Sequence, residues 1–153
     1  MINKRIGLFI LLVFFMAFIY LFRPFLYGLG CNFSFVAESE HIKQVGKCKA
    51  GILTTYYEMP GLGASSYNRY LYGVDGDFIY AFRINKERID KKGNIDTVLT
   101  KLGDHPHAMN FYDGDRLYIL KYKCVSAEKC FMMRDDSMEN IYEIKLHGRV
   151  GLF

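Results

Sequence analysis

The sequence predicts a mainly β protein: a single N-terminal transmembrane helix followed by a small antiparallel β-sheet domain with one short helix. Three observations carry this expectation. Residues 6–22 form an uninterrupted apolar run, apolar and polar residues alternate with period two through much of the chain beyond residue 50, and two Asp-Gly-Asp triplets fall between alternating runs.

The apolar run IGLFILLVFFMAFIYLF is 17 residues long and contains no charged, Asn, Gln, Ser or Thr residue. As a helix it covers about 25 Å, at roughly 1.5 Å per residue. A bilayer core is about 30 Å thick, and Arg23-Pro24-Phe25-Leu26-Tyr27 makes up the difference. The expected anchor is therefore residues 6–27 within an N-terminal segment 1–30, and the tethered domain is residues 31–153. Arg23 suits the outer boundary, where its stem lies along apolar surface and its guanidinium reaches headgroups. Pro24 is placed to kink the last turn, and Gly28 and Gly30 to end it.

Two other readings compete. A cleaved signal has an apolar region of about 7–15 residues ending in small residues. Here the run is longer and is followed by Phe22, Arg23, Pro24 and Phe25. Gly30-Cys31 resembles the end of a lipidation motif, but Leu29 stands where a small residue is normal and Gly28 where Leu is usual. Orientation follows from the flanks. Lys4 and Arg5 precede the run and only Arg23 follows closely, so the amino terminus is expected in the cytoplasm and the domain outside it. In a bacterial cell that places the domain on the periplasmic side of the inner membrane.

The anchor also accounts for the charge. Taking Lys4, Arg5 and Arg23 from the 20 basic residues leaves 17 against 16 acidic ones. A near-neutral domain has no electrostatic footprint for nucleic acid.

All four cysteines, Cys31, Cys48, Cys124 and Cys130, follow the apolar run. An even number in a small domain outside the cytoplasm predicts disulfides. Closeness in sequence favours Cys31–Cys48 and Cys124–Cys130 over the other two connectivities. No Cys pair has the spacing of a zinc site or of a redox C-x-x-C.

Alternation defines the strands. Ile79, Ala81 and Arg83 share one face, opposite Phe78, Tyr80, Phe82 and Ile84. Leu117 and Ile119 oppose Tyr118, Leu120 and Tyr122, while Tyr142, Ile144 and Leu146 oppose Ile141, Glu143 and Lys145. Asp75-Gly76-Asp77 predicts a hairpin between strands 70–74 and 78–84. Asp113-Gly114-Asp115 predicts one between 109–112 and 116–124. Residues 94–103 break the pattern: apolar residues at 95, 98, 99 and 102, with Asn94 able to cap and Gly103 to terminate, predict the short helix. Six or seven strands in all are expected.

Candidate chemistry is sparse. Asp104, His105 and His107 place two imidazoles and a carboxylate in one segment, a possible transition-metal set. Pro106 favours a loop, no further ligand is evident, and no metal or other cofactor is expected. Gly61-Leu62-Gly63-Ala64-Ser65-Ser66 lacks the Lys-Ser/Thr ending of a phosphate loop and reads as a flexible connection. Turn chemistry accounts for both Asp-Gly-Asp sites without calcium. Tyr56, Tyr57, Tyr67, Tyr70 and Tyr72 crowd into 17 residues. Tyr is favoured at protein interfaces, and this group is the expected partner-binding surface.

By elimination the sequence points to a non-enzymatic, membrane-tethered domain that binds another protein outside the cytoplasm, such as an immunity or inhibitor protein against an envelope-acting toxin. The alternatives are an accessory subunit of an envelope or transport complex, and a metal-dependent protein using His105 and His107.

Overall fold

A computed structural model describes residues 4–38, 43–59, 63–88, 117–126, 129–134 and 141–152. Helix α1 spans Lys4–Gly28. Eight strands follow: β1 (Asn32–Glu38), β2 (Lys43–Lys49), β3 (Ile52–Met59), β4 (Ala64–Asp75), β5 (Phe78–Arg88), β6 (Leu117–Cys124), β7 (Lys129–Arg134) and β8 (Ile141–Arg149). Each strand pairs antiparallel with the next, and β8 pairs with β1 from Asn32↔Arg149 to Val36↔Lys145, so the sheet closes into a barrel. Closure removes the exposed edges that an open sheet would present.

The sequence led to six or seven strands, and the difference arises at the start. In β1, Phe33 and Phe35 are buried while Asn32, Ser34 and Val36 are exposed. This alternation lies before residue 50, where the regular pattern begins. β2 turns Gly46 and Cys48 inward, neither of which reads as a core hydrophobe. β4 is also longer than the predicted 70–74. Ala64, Ser65 and Ser66, expected in a flexible connection, are its first residues, because Ser66 and Asn68 occupy interior positions. The predicted helix 94–103 and strand 109–112 lie outside the described residues.

Three turns close the barrel end nearest the helix. Asp75 pairs with Phe78, leaving Gly76-Asp77 as the turn, and Gly76 has φ 55. Positive φ at the first turn position is what a type II′ hairpin requires. Lys49 pairs with Ile52, leaving Ala50-Gly51 with φ 50 and 79. Positive φ at both positions is the mark of a type I′ turn, a geometry in which Ala is strained by its Cβ. Replacing Ala50 with Asn, which tolerates this region, is expected to raise stability by about 0.5–1 kcal/mol in denaturant unfolding. The third turn carries a disulfide. Cys124 and Cys130 are directly paired across β6 and β7 and are bonded, with Cα atoms 3.9 Å apart.

The helix is joined firmly to this same end. Cys31, just beyond it, is bonded to Cys48 of β2, with Cα atoms 5.7 Å apart. Both are buried. The Ala50 N–H donates to the Cys31 carbonyl at 3.1 Å, and the Leu152 N–H donates to the Tyr27 carbonyl at 3.1 Å. Arg149 Nε donates to the Gly30 carbonyl at 3.0 Å. Gly28 and Gly73 permit close contact between helix and barrel. A Cβ on Gly28 would overlap the Tyr72 carbonyl, and one on Gly73 would lie 3.0–3.1 Å from Pro24 and Phe25. Pro24 lies inside α1, which continues to Gly28.

Candidate functional site

Three features of the described structure are candidates for function: the free length of the helix, the outer wall of the barrel and its interior. From Ile6 to Gly28 the helix is long and apolar enough to cross a membrane. Its apolar side chains before residue 22 are exposed, Phe14 at 75%. Lateral burial of such a surface is the usual reason for its presence.

The outer wall takes its direction on β5 from the hairpin turn. The turn fixes Val74↔Ile79, Tyr72↔Ala81 and Tyr70↔Arg83. Because β4 turns Tyr70, Tyr72 and Val74 inward, Ile79, Ala81 and Arg83 must also face inward. The charged residue is therefore inside and the aromatics outside: Arg83 is 9% exposed and Phe82 38%. On the neighbouring strand Leu117 and Ile119 also face out. The direct pairs Phe82↔Leu117 and Tyr80↔Ile119 continue the patch, and Lys121 lies over the Phe78 ring at 5.8 Å. The β4–β5 register shifts between Arg69 and Tyr70, and Ile84, the residue left out of register, is exposed. Phe78, Phe82, Ile84, Leu117 and Ile119 thus form an exposed apolar wall. The sequence distinguished the two faces of these strands but carried no signal for which one was inside.

The five tyrosines do not form one surface. Tyr57, Tyr70 and Tyr72 point into the barrel and are buried. Tyr56 and Tyr67 face outward and pair directly. With Val45 opposite Tyr56 and Val36 opposite Val45, they make a narrow apolar stripe across β1–β4. Asp104, His105 and His107 belong to the β5–β6 connection, outside the described residues. Among the described residues no group of three His, Cys, Asp or Glu side chains is placed to hold a metal ion.

The interior is apolar with polar inclusions. Phe33 meets Tyr72 edge-on with ring centroids 5.5 Å apart, and Tyr70 meets Tyr118 edge-on at 5.7 Å. Arg83 donates from Nη1 to the Tyr118 hydroxyl at 3.2 Å and lies 5.9 Å from its ring centroid, which holds a guanidinium in an otherwise apolar setting. Gln44 Nε2 donates to the Tyr57 hydroxyl at 2.6 Å, and Asn68 Nδ2 to Ser66 Oγ at 3.3 Å. The Asn68 carbonyl oxygen and the Tyr72 hydroxyl have no partner among the described residues.

Between these groups lies a cavity of about 90 Å³, bounded by residues of all eight strands that include Phe33, Leu53, Tyr72, Ala81, Met132 and Ile144. Eight-stranded barrels are wide enough either to fill with side chains or to hold one small molecule.

Burial pushes the Tyr70 and Tyr72 hydroxyls far above the usual tyrosine pKa. For Tyr70 the adjacent Tyr118 adds to this while Thr55 and Arg83 oppose it; for Tyr72 the neighbouring Tyr122 adds. An unfolded tyrosine ionises near pH 10. Below that pH both states hold the proton; above it the unfolded chain releases protons that the folded chain keeps. Stability is therefore full below about pH 10 and falls as pH rises, at about 1.4 kcal/mol per pH unit for each such tyrosine. Denaturant unfolding between pH 9 and 11 is expected to show this loss, and Tyr72→Phe to reduce its slope by one tyrosine's share.

No protein-family model matches this sequence, and no curated protein matches it.

Proposed function

We propose that this protein is a membrane-tethered, non-catalytic binding module that engages another protein outside the cytoplasm through the outer wall of β5 and β6. The exposed apolar surface of Phe78, Phe82, Ile84, Leu117 and Ile119 is the observation that carries the reading. Contiguous exposed apolar surface on a small domain marks an interaction site, and interface cores are enriched in aromatics. The tether rests on the exposed apolar length of α1. The orientation rests on the basic residues before it, and two disulfides agree with an oxidising compartment.

An immunity or inhibitor protein against an envelope-acting toxin is the version we favour, because the helix holds the barrel at the membrane while its wall stays open to a partner. An accessory subunit of an envelope complex is the second version. Expression beside the product of the adjacent gene separates them. An immunity protein protects cells from that product and still protects, less efficiently, when α1 is replaced by an unrelated anchor. A complex subunit loses its role on that replacement. Absence of both protection and complex formation by the intact, folded chain would remove the protein-binding reading.

A further inference from the structure

We propose that the outer face of β1, with β2 and β8 on either side and at the end nearest the helix, is a docking surface for the anionic headgroups of membrane phospholipids. The inference rests on the tether reading, because an α1 that crosses a bilayer brings this end of the barrel to the membrane surface. It is independent of any protein partner on the wall of β5 and β6.

The helix is exposed up to Arg23 and meets the barrel from there onward, with Gly28 against Tyr72 and Gly30 against Leu152. Strands β2 and β8 end there and β1 begins there. Their residues at that end lie side by side in the register Lys49↔Asn32↔Arg149, and the next outward-facing row is Lys47↔Ser34↔His147. All six are exposed. Neighbouring strands lie about 4.8 Å apart, so the basic residues of β2 and β8 stand roughly 10 Å apart across β1. Asn32 and Ser34 are short. Between the longer side chains they form a shallow furrow floored by an amide and a hydroxyl. A phosphodiester anion suits such a furrow, with cations on its flanks and hydrogen-bond donors beneath it. Arg149 is fixed beside the helix exit by the bond from its Nε to the Gly30 carbonyl at 3.0 Å.

The charge around the furrow is unbalanced. Strands β6, β7, β8, β1 and β2 are neighbours in the closed sheet, and their acidic residues are Glu38 and Glu143. Both are engaged, Glu38 with Lys43 at 3.9 Å and Glu143 with Lys129 at 2.9 Å. Lys47, Lys49, Lys123, Lys145 and Arg149 have no acidic partner among the described residues. Lys145 also stands directly opposite Lys129, where like charges repel and an anion relieves them. The acidic residues Asp75 and Asp77 lie at the turn between β4 and β5, across the barrel, and Asp75 faces Arg23 at 3.8 Å. Leu29 and Leu152, exposed beside the helix exit, add apolar side chains suited to the boundary between headgroups and acyl chains.

The test uses the full chain in nanodiscs of phosphatidylcholine, with phosphatidylglycerol added in steps. Docking is read from the backbone amide NMR shifts of Ser34, Lys47 and His147. The amides of Gly76 and Asp77, at the same end of the barrel on the opposite side, are the control. Phosphatidylglycerol is expected to move the first set saturably and leave the second in place, and high salt should reverse the change. Lys47→Gln and Lys145→Gln should each weaken docking by about fivefold. Identical spectra with and without phosphatidylglycerol would overturn the proposal. So would equal shifts at Gly76 and Asp77, which indicate a general field effect, or the same shifts from inorganic phosphate in phosphatidylcholine discs, which indicate a free-anion site. Protection of the α1 methyl groups from a water-soluble paramagnetic agent reports the tether separately. An unprotected α1 removes both readings; a protected α1 with no response to phosphatidylglycerol removes this one alone. The wild-type comparison decides the matter even if a variant fails to fold.

Discussion

Converting both Cys31 and Cys48 to Ala is expected to destabilise the barrel by about 3 kcal/mol, lowering the thermal midpoint by roughly 10 °C. The bridge joins residues 17 apart in sequence. Cross-linking such a loop restricts the unfolded chain, and the entropy model gives about 3 kcal/mol. The native state loses something too, since the Gly51 N–H donates to Cys31 Sγ at 3.3 Å in a buried setting. The second bridge, Cys124–Cys130, spans only 6 residues, and its removal should cost about 2 kcal/mol by the same model. Denaturant unfolding of both double variants, with the helix in a constant detergent, measures the difference. A Cys31/Cys48 variant as stable as the wild type would mean that the hydrogen bonds from Leu152, Ala50 and Arg149 suffice to hold the helix end.

The second large effect concerns binding. Phe82→Asp is expected to weaken partner binding by about 30-fold or more while leaving stability nearly unchanged. Phe82 is exposed in the free protein, so its loss removes little from the core. In a complex it would lie near the middle of the wall, paired with Leu117 and flanked by Leu71 across β4. Truncating or charging such an anchor costs about 2–4 kcal/mol of binding. Val45→Asp, at the centre of the stripe on β1–β4, is the matched control and should leave binding unaltered. The opposite result, loss with Val45→Asp or Tyr56→Ser and none with Phe82→Asp, would move the interface to the stripe of Val36, Val45, Tyr56 and Tyr67. Equilibrium titration against the adjacent gene product and urea midpoints of each variant check both halves.

These two expectations draw on different levels of information. Both bridges join cysteines that are near in sequence, and both hold the end from which the helix leaves. The interface depended on direction. In β5 the residues Ile79, Ala81 and Arg83 formed one set and Phe78, Tyr80, Phe82 and Ile84 the other, and alternation alone left open which set was inside. The direction arises because the turn at Gly76-Asp77 locks β5 to β4, whose Tyr70, Tyr72 and Val74 already face the core. A shift of one residue would exchange the two sets completely. The same locking splits the tyrosines, sending Tyr57, Tyr70 and Tyr72 inward and leaving Tyr56 and Tyr67 outside.

Some properties of this chain were determined by the sequence alone. The apolar helix needed only an unbroken run of residues with no polar face. The β character needed only alternation, and the hairpin at Asp75-Gly76-Asp77 needed only a residue free to adopt positive φ. Each is a local property, complete within a few turns or a few residues. The tertiary structure decided what depends on partners distant in sequence: that β8 returns to β1 and closes the barrel, that Ser66, Asn68 and Arg83 are enclosed, and that a space remains inside among largely apolar side chains. Closure joins residues more than 100 positions apart, as in Asn32↔Arg149, and no local pattern encodes the contact between them.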